Sequence, residues 1–226
     1  MKKSLLFALL VLGLILSACG NEAKNTTTHT EKEDSKPAEQ KEVSNKPDEP
    51  TENEDGNIVF TEAGQKAKVD TGTLELLKIK NINETIDIAP IKVTMKDIKI
   101  FKMTDMTEDF KENLAYYNDN KNIGDELVYV QVAYDVENTE EKNVDWLALT
   151  DVVTDKGQQI DAITNDFLYT DSDGDSEFFG KVKKEFADAY ILKESDVSKI
   201  KFIFSGTKDS DTFDNITPKQ QVEYSI

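Results

Sequence analysis

Between Val128 and Glu137 the chain alternates with a period of two: Val128, Val130, Val132, Tyr134 and Val136 fall on one side, and Tyr129, Gln131, Asp135 and Glu137 on the other. Successive side chains point to opposite faces of a strand, whereas a helix rotates each residue by about 100° and would scatter this apolar set around its circumference. The run is a half-buried strand. It constrains the rest of the chain, because one apolar sheet face needs neighbouring strands and a second layer to cover it. Ile91, Val93 and Met95 alternate in the same way, after which the apolar phase moves to Ile98 and Ile100. A bulge near Lys96 and Asp97 accommodates that change, where a plain slip would turn apolar side chains outward. Shorter candidate strands are Leu74 to Lys80, Leu149 to Thr154, Gln158 to Ile163, Glu185 to Leu192, Lys199 to Phe204 and Val222 to Ile226, with Asp155-Lys156-Gly157 as a hairpin turn. One segment has helical spacing instead: Thr107 can cap it, Glu108 and Asp109 suit its positive end, and Phe110, Leu114 and Tyr117 share a face. The expected fold is mainly β, an immunoglobulin-like antiparallel β-sandwich with one short helical insertion over about 107–118.

The first twenty residues follow another logic. Lys2 and Lys3 precede an apolar run from Leu5 to Leu16 that ends in Leu16-Ser17-Ala18-Cys19-Gly20. The run is about a dozen residues, short of the roughly 20 that span a bilayer, and it reads as a signal peptide over residues 1–18. Its ending resembles the lipobox of bacterial lipoproteins. That resemblance implies cleavage before Cys19, diacylglycerol on its thiol, palmitate as a bound acyl group, and anchoring at the outer face of the cell membrane. Cys19 is the sole cysteine, so no internal disulfide is available and an apolar core must carry stability.

Residues 19–55 then read as a lipidated N-terminus and an acidic tether. From Asn21 to Asp55 the chain is Glu, Lys, Asn, Thr, Pro and Ser, with Val43 its only large aliphatic residue and no aromatic. Such a composition cannot bury enough surface to fold. The only histidine, His29, lies there. What remains, residues 56–226, has the size of a single domain.

That domain holds thirty-four acidic residues against twenty lysines and no arginine, within a chain of net charge −18. Such a field repels nucleic acid, which is excluded as a partner. With neither histidine nor cysteine in the domain, Ser-His-Asp, Cys-His and zinc catalysis lack their groups, and a non-enzymatic role is expected. A pair of carboxylates could still serve a cell-wall hydrolase, although no spacing singles one out. A solute-binding subunit is a weaker reading, since the domain looks small for two lobes.

Two candidate sites remain. Asp171, Asp173, Asp175 and Glu177 alternate hard oxygen ligands through Asp171-Ser172-Asp173-Gly174-Asp175-Ser176-Glu177, which suits calcium. The glycine and glutamate positions of an EF-hand are not matched, and a solvated acidic loop is the competing explanation. Trp146, the sole tryptophan, follows Asn143-Val144-Asp145 and reads either as core or as a surface ring for a sugar or protein contact.

The stretch Gly124-Asp125-Glu126-Leu127-Val128-Tyr129-Val130-Gln131-Val132-Ala133-Tyr134-Asp135-Val136-Glu137-Asn138-Thr139 resembles the central strand of uncharacterised immunoglobulin-like lipoproteins of Gram-positive bacteria. The turn Asp155-Lys156-Gly157-Gln158 and the strand Lys199-Ile200-Lys201-Phe202-Ile203-Phe204 are similar to their next hairpin and late strand, while the insertion from Met103 to Asn122 departs from their compact pattern. The resemblance implies an extracytoplasmic domain of unknown function and carries no catalytic residue. Two functional expectations stand: a tethered module binding an envelope protein or carbohydrate, and a calcium-responsive structural lipoprotein.

Overall fold

The computed structural model describes residues 47–54, 56–118, 121–168 and 175–226. The expected signal peptide, Cys19, His29 and most of the expected tether lie outside these residues. In chain order the elements are β1 (Thr51–Glu52), β2 (Ile58–Val59), β3 (Lys66–Val69), β4 (Gly72–Ile88), β5 (Ile91–Thr104), α1 (Glu108–Tyr116), β6 (Leu127–Asn138), β7 (Val144–Trp146) and β8 (Leu149–Thr154). They continue with β9 (Gln159–Asp161), α2 (Ala162–Asn165), β10 (Glu177–Phe178), β11 (Lys183–Leu192), β12 (Lys199–Phe204), β13 (Thr207–Asp209), β14 (Asn215–Thr217) and β15 (Gln220–Ser225).

The first layer is the antiparallel sheet β11-β6-β5-β4-β3. Strand β6 pairs along its length with β5 and β11, as its alternation requires. The bulge in β5 falls at Lys96: Met95 lies opposite Tyr134 and Asp97 opposite Ala133, so Lys96 is the extra residue. Ile98 and Ile100 thereby rejoin the face of Ile91, Val93 and Met95, and all five are buried together. The second layer consists of two antiparallel sheets, β15-β12-β8-β9 and β10-β7-β13-β14. Strand β7 runs directly into β8, β12 into β13 and β14 into β15, so the two sheets are halves of one layer broken across a shared corner.

Between the layers, Tyr134 stacks on Phe186 with centroids 5.1 Å apart, Trp146 stacks on Phe204 at 6.0 Å, and Phe178 and Phe202 fill the space around them. Asp188 is buried in this core and accepts hydrogen bonds from the hydroxyls of Tyr134 (2.8 Å) and Tyr190 (3.1 Å). Those phenols compensate the cost of desolvating the carboxylate.

The outer face of the first layer is divided. Around α1 it is apolar: Phe60, Leu76, Phe101, Met103, Leu127, Tyr129 and Ile191 pack with the helix residue Leu114 as a second core. Tyr129, on the alternate face of β6, is therefore buried as well. Thr107 caps α1 as its sequence suggests, its hydroxyl accepting from the Phe110 N–H. Away from the helix the same face is polar. Asp87, Lys92, Glu137 and Lys183 lie opposite one another across β4, β5, β6 and β11, a row of alternating charge.

Two expectations change. Gln158 to Ile163 is not one strand: β9 ends at Asp161, whose carboxylate accepts from the N–H groups of Ile163 (3.0 Å) and Thr164 (3.4 Å) and starts α2. A short aspartate side chain competes with the ladder for the backbone, and here it wins. The expected tether also ends earlier than Asp55, because Thr51 pairs with Val59 and Glu52 with Ile58. The Asn53 carboxamide, accepting from the Asn57 N–H at 2.8 Å, supplies the local turn that composition did not disclose.

At one end of the second layer, Asp209 is buried, pairs with Lys142, and accepts from the N–H groups of Asp211 (2.8 Å) and Thr212 (2.9 Å). The Lys142 ammonium first, and the Thr212 N–H after it, hold this carboxyl down at about 2. Because its pKa is depressed in the folded state, its stabilisation is present above the unfolded value near 4 and is lost as pH falls toward 2. Asp209→Asn should unfold at lower urea than wild type at neutral pH, and the gap should close between about pH 4 and 2.

Candidate functional site

The corner in the second layer starts from Trp146. The surface-contact reading of this residue is corrected by its position: its side chain is 2% exposed, with Phe204 stacked on it and Phe178 and Phe186 edge-on at 6.1 Å. No ring face is left for a sugar. Val144 and Trp146 both point inward from β7, which follows from the period of two. The indole N–H donates to the Ser205 carbonyl at 3.2 Å, tying β7 to the exit of β12.

Immediately after Trp146 the chain breaks its alternation. Ala148 takes a left-handed conformation at φ 56°, rare for a residue with a Cβ, and Leu147 is turned out to 58% exposure. The facing strand breaks at the same level. The Ser205 N–H donates to the Ala148 carbonyl and the Leu147 N–H to the Ser205 hydroxyl, each at 2.9 Å. Gly206 lies so close to β14 that a Cβ there would sit 2.2 Å from the Thr217 carbonyl oxygen. The hydroxyls of Thr207 and Thr217 both donate to the Ala89 carbonyl, at 2.8 and 2.6 Å, fastening the corner to the β4–β5 turn of the first layer.

A cleft of about 1030 Å³ lies across this corner. Leu147, Ile163, Ile216 and Pro218 give it aliphatic surface, Asp151, Gln159 and Asp161 come from β8 and β9, Lys208 and Asn215 from β13 and β14, and Lys219 from the connection between β14 and β15. Leu147, Ile163 and Ile216 are all exposed, a concentration of uncovered aliphatic side chains. Asp151 and Asp161 are directly opposite across β8 and β9, and like charges so placed cost stability. The Asp151 carboxylate accepts from the Gln159 amide and the Thr150 hydroxyl, both at 2.9 Å, while Lys219 donates to the Thr150 hydroxyl at 3.3 Å. The walls thus offer carboxylates, ammonium groups, and the amides of Gln159 and Asn215, which can both donate and accept.

The acidic loop is divided by the structure. Asp171 and Asp173 lie outside the described residues. Asp175 is engaged: Lys184 donates to its carboxylate at 2.8 Å and to the carbonyls of Asp175 (3.0 Å) and Glu177 (2.8 Å). That ammonium, and next the Glu177 N–H, hold the Asp175 carboxyl below the ordinary carboxylate range. Glu177 sits on β10 opposite Asp145, and among the described residues no three His, Cys, Asp or Glu side chains converge as metal ligands.

The cleft was not identified from sequence, although a signal exists. Inward residues Phe202 and Phe204 are followed by Thr207 and Asp209, so the parity changes across Gly206, and Trp146 to Leu149 makes a similar break on the facing strand. Two parity changes on neighbouring strands mark a sheet corner.

No family model matches the chain. The uncharacterized protein YdhF of Bacillus subtilis (strain 168) is 24% identical over 161 residues, covering 69% of this chain and 66% of that protein. The chain thus spans about two thirds of the length of the curated relative it matches. A functionally unknown protein from Listeria monocytogenes EGD-e, of known crystal structure, superposes with a TM-score of 0.47 at 11% identity, covering 69% of this chain and 87% of that one.

Gly206→Ala tests whether the corner depends on close backbone approach. Its Cβ has nowhere to go, and urea denaturation should register a loss of about 1–3 kcal/mol; an unchanged midpoint would mean that the strands part without cost.

Proposed function

We propose that this protein is a lipid-anchored, extracytoplasmic, non-catalytic binding module of the cell envelope, and that its corner cleft receives an extended peptide segment of an envelope protein. The observation that carries the binding reading is the exposure of Leu147, Ile163 and Ile216 on one concave surface. Exposed aliphatic side chains gathered in a cleft are what a partner would remove from water.

Peptide is favoured over carbohydrate by the chemistry of the lining. Sugar sites rely on ring faces for stacking, and none of the described lining residues is aromatic. Aliphatic contacts fit peptide side chains, the amides of Gln159 and Asn215 can serve a peptide backbone, and walls carrying both charges suit the mixed side chains of a protein segment. Anchoring rests on the lipobox resemblance at Leu16-Ser17-Ala18-Cys19, where two acyl chains would hold the module firmly.

A photo-crosslinking residue in place of Ile216, in intact cells, should capture an envelope protein through one contiguous segment. Adding Leu147→Asp, which puts a third carboxylate into the cleft, should reduce the yield by roughly tenfold. Adducts to glycan, or a yield indifferent to Leu147→Asp, would contradict the proposal.

A further inference from the structure

The end of the β10-β7-β13-β14 sheet away from the corner carries two exposed aromatic rings, Phe179 at 60% and Phe213 at 72% exposure. Their strands share a register: Phe178 and Asp209 both lie opposite Val144, one from each side. Phe179 and the loop bearing Phe213 therefore leave the same end of the sheet, two strand spacings or about 10 Å apart. Phe213 is held in place at a cost. Its φ is 61°, a left-handed conformation that a bulky L-residue adopts only under constraint. The constraint is visible: the Phe213 N–H donates to the Asp209 carbonyl at 2.8 Å, and the Asp209 N–H donates to the Asp214 carbonyl at 3.0 Å. The Asp209 carboxylate, anchored by Lys142, caps the intervening N–H groups of Asp211 and Thr212. A strained backbone that turns a phenyl ring outward gains nothing from burial of that ring.

The charge around the rings is one-sided. The loops at this end contain Glu140, Glu141, Asp209, Asp211 and Asp214 against Lys142 and Lys181. Lys142 is engaged by Asp209, with Glu140 and Asp211 also acting on its charge, and Lys181 is engaged by Glu141 at 3.3 Å, so five acids of these loops face two ammonium groups. Two uncovered rings within an acidic rim are complementary to a basic surface that also offers apolar side chains. We propose that this end of the sandwich is a second docking surface, separate from the corner cleft, for a cationic protein segment carrying aliphatic side chains, with Phe179 and Phe213 as its anchors.

The purified full chain, titrated calorimetrically with a peptide alternating lysine and leucine, should bind it more tightly than a peptide alternating lysine and serine. Phe213→Asn tolerates the left-handed backbone, so it should leave the melting temperature unchanged or raise it by about 2–4 °C. The same variant, and Phe179→Ser, should each weaken the lysine–leucine peptide by roughly tenfold, while Tyr116→Ser, at an exposed ring on α1 outside both surfaces, should leave that affinity alone. Affinities within about twofold of wild type for both phenylalanine variants would overturn the proposal. So would a melting temperature lowered by several degrees in Phe213→Asn, which would make the ring a structural one. Phenylalanine-dependent binding to vesicles of phosphatidylglycerol and phosphatidylcholine, in place of the peptide, would assign the surface to lipid and overturn it equally.

Discussion

The indole N–H of Trp146 donating to the Ser205 carbonyl joins the two strands of the second layer at the point where both stop being regular. Its ring is simultaneously the centre of the aromatic core. Between-strand geometry at the corner is thus coupled to packing between layers: a residue that cannot leave the core sets where Leu147 must turn out and where Gly206 must approach Thr217. Concavity on the outside of the sheet follows from that coupling. A sheet of ordinary twist would present a convex or saddle-shaped surface there, with no trough for exposed aliphatic side chains. The hydroxyls of Thr207 and Thr217, sharing the Ala89 carbonyl, extend the constraint into the first layer.

The first layer is asymmetric, and its outer face is closed in two different ways. One half of its outer face is closed by α1 and the Phe60 segment over a second apolar cluster, and the other half carries the Asp87-Lys92-Glu137-Lys183 row. Neither half leaves a broad apolar surface uncovered. Exposed large apolar side chains occur elsewhere, and two groups of them lie on the second layer: the corner with Leu147, Ile163 and Ile216, and the far end with Phe179 and Phe213. Strand β11, at the edge of the first layer, is also protected, since the Asp166 carboxylate accepts from the Ala189 N–H at 2.7 Å and the Gln158 amide donates to the Ile191 carbonyl at 2.9 Å. Those contacts occupy backbone groups that would otherwise invite another strand.

Long elements of one unbroken phase were legible in the sequence because many residues vote together. Strand β4, by contrast, was expected only over Leu74 to Lys80 and runs Gly72–Ile88, its phase interrupted by register shifts between Leu76 and Lys78 and between Asn81 and Glu84. The alternation of β6, the bulge at Lys96, the capped helix from Glu108 and the strands Leu149–Thr154 and Lys199–Phe204 all stand where the pattern put them. Strands β7, β9, β10, β13 and β14 have two or three residues each, too few to establish a period, and they build much of the corner and the far end. Trp146 stayed open between core and surface because an isolated aromatic at a strand end carries no phase of its own, and the structure resolves it as core. Cleft residues such as Asp151 and Lys208 come from segments distant in the chain, and no local spacing joins them. The acidic loop drew attention for its regular spacing of oxygen ligands, yet Lys184 already claims Asp175.

If the corner is a rigid consequence of core packing, its backbone should open only when the core does. Native-state hydrogen exchange at the amides of Leu147 and Ser205 measures this directly. Both amides should exchange through the global unfolding reaction, with the same denaturant dependence as Val132 in the middle of β6. Exchange at the rate of surface loops, independent of denaturant, would mean that the corner is a flexible joint and would contradict the account of a preformed cleft.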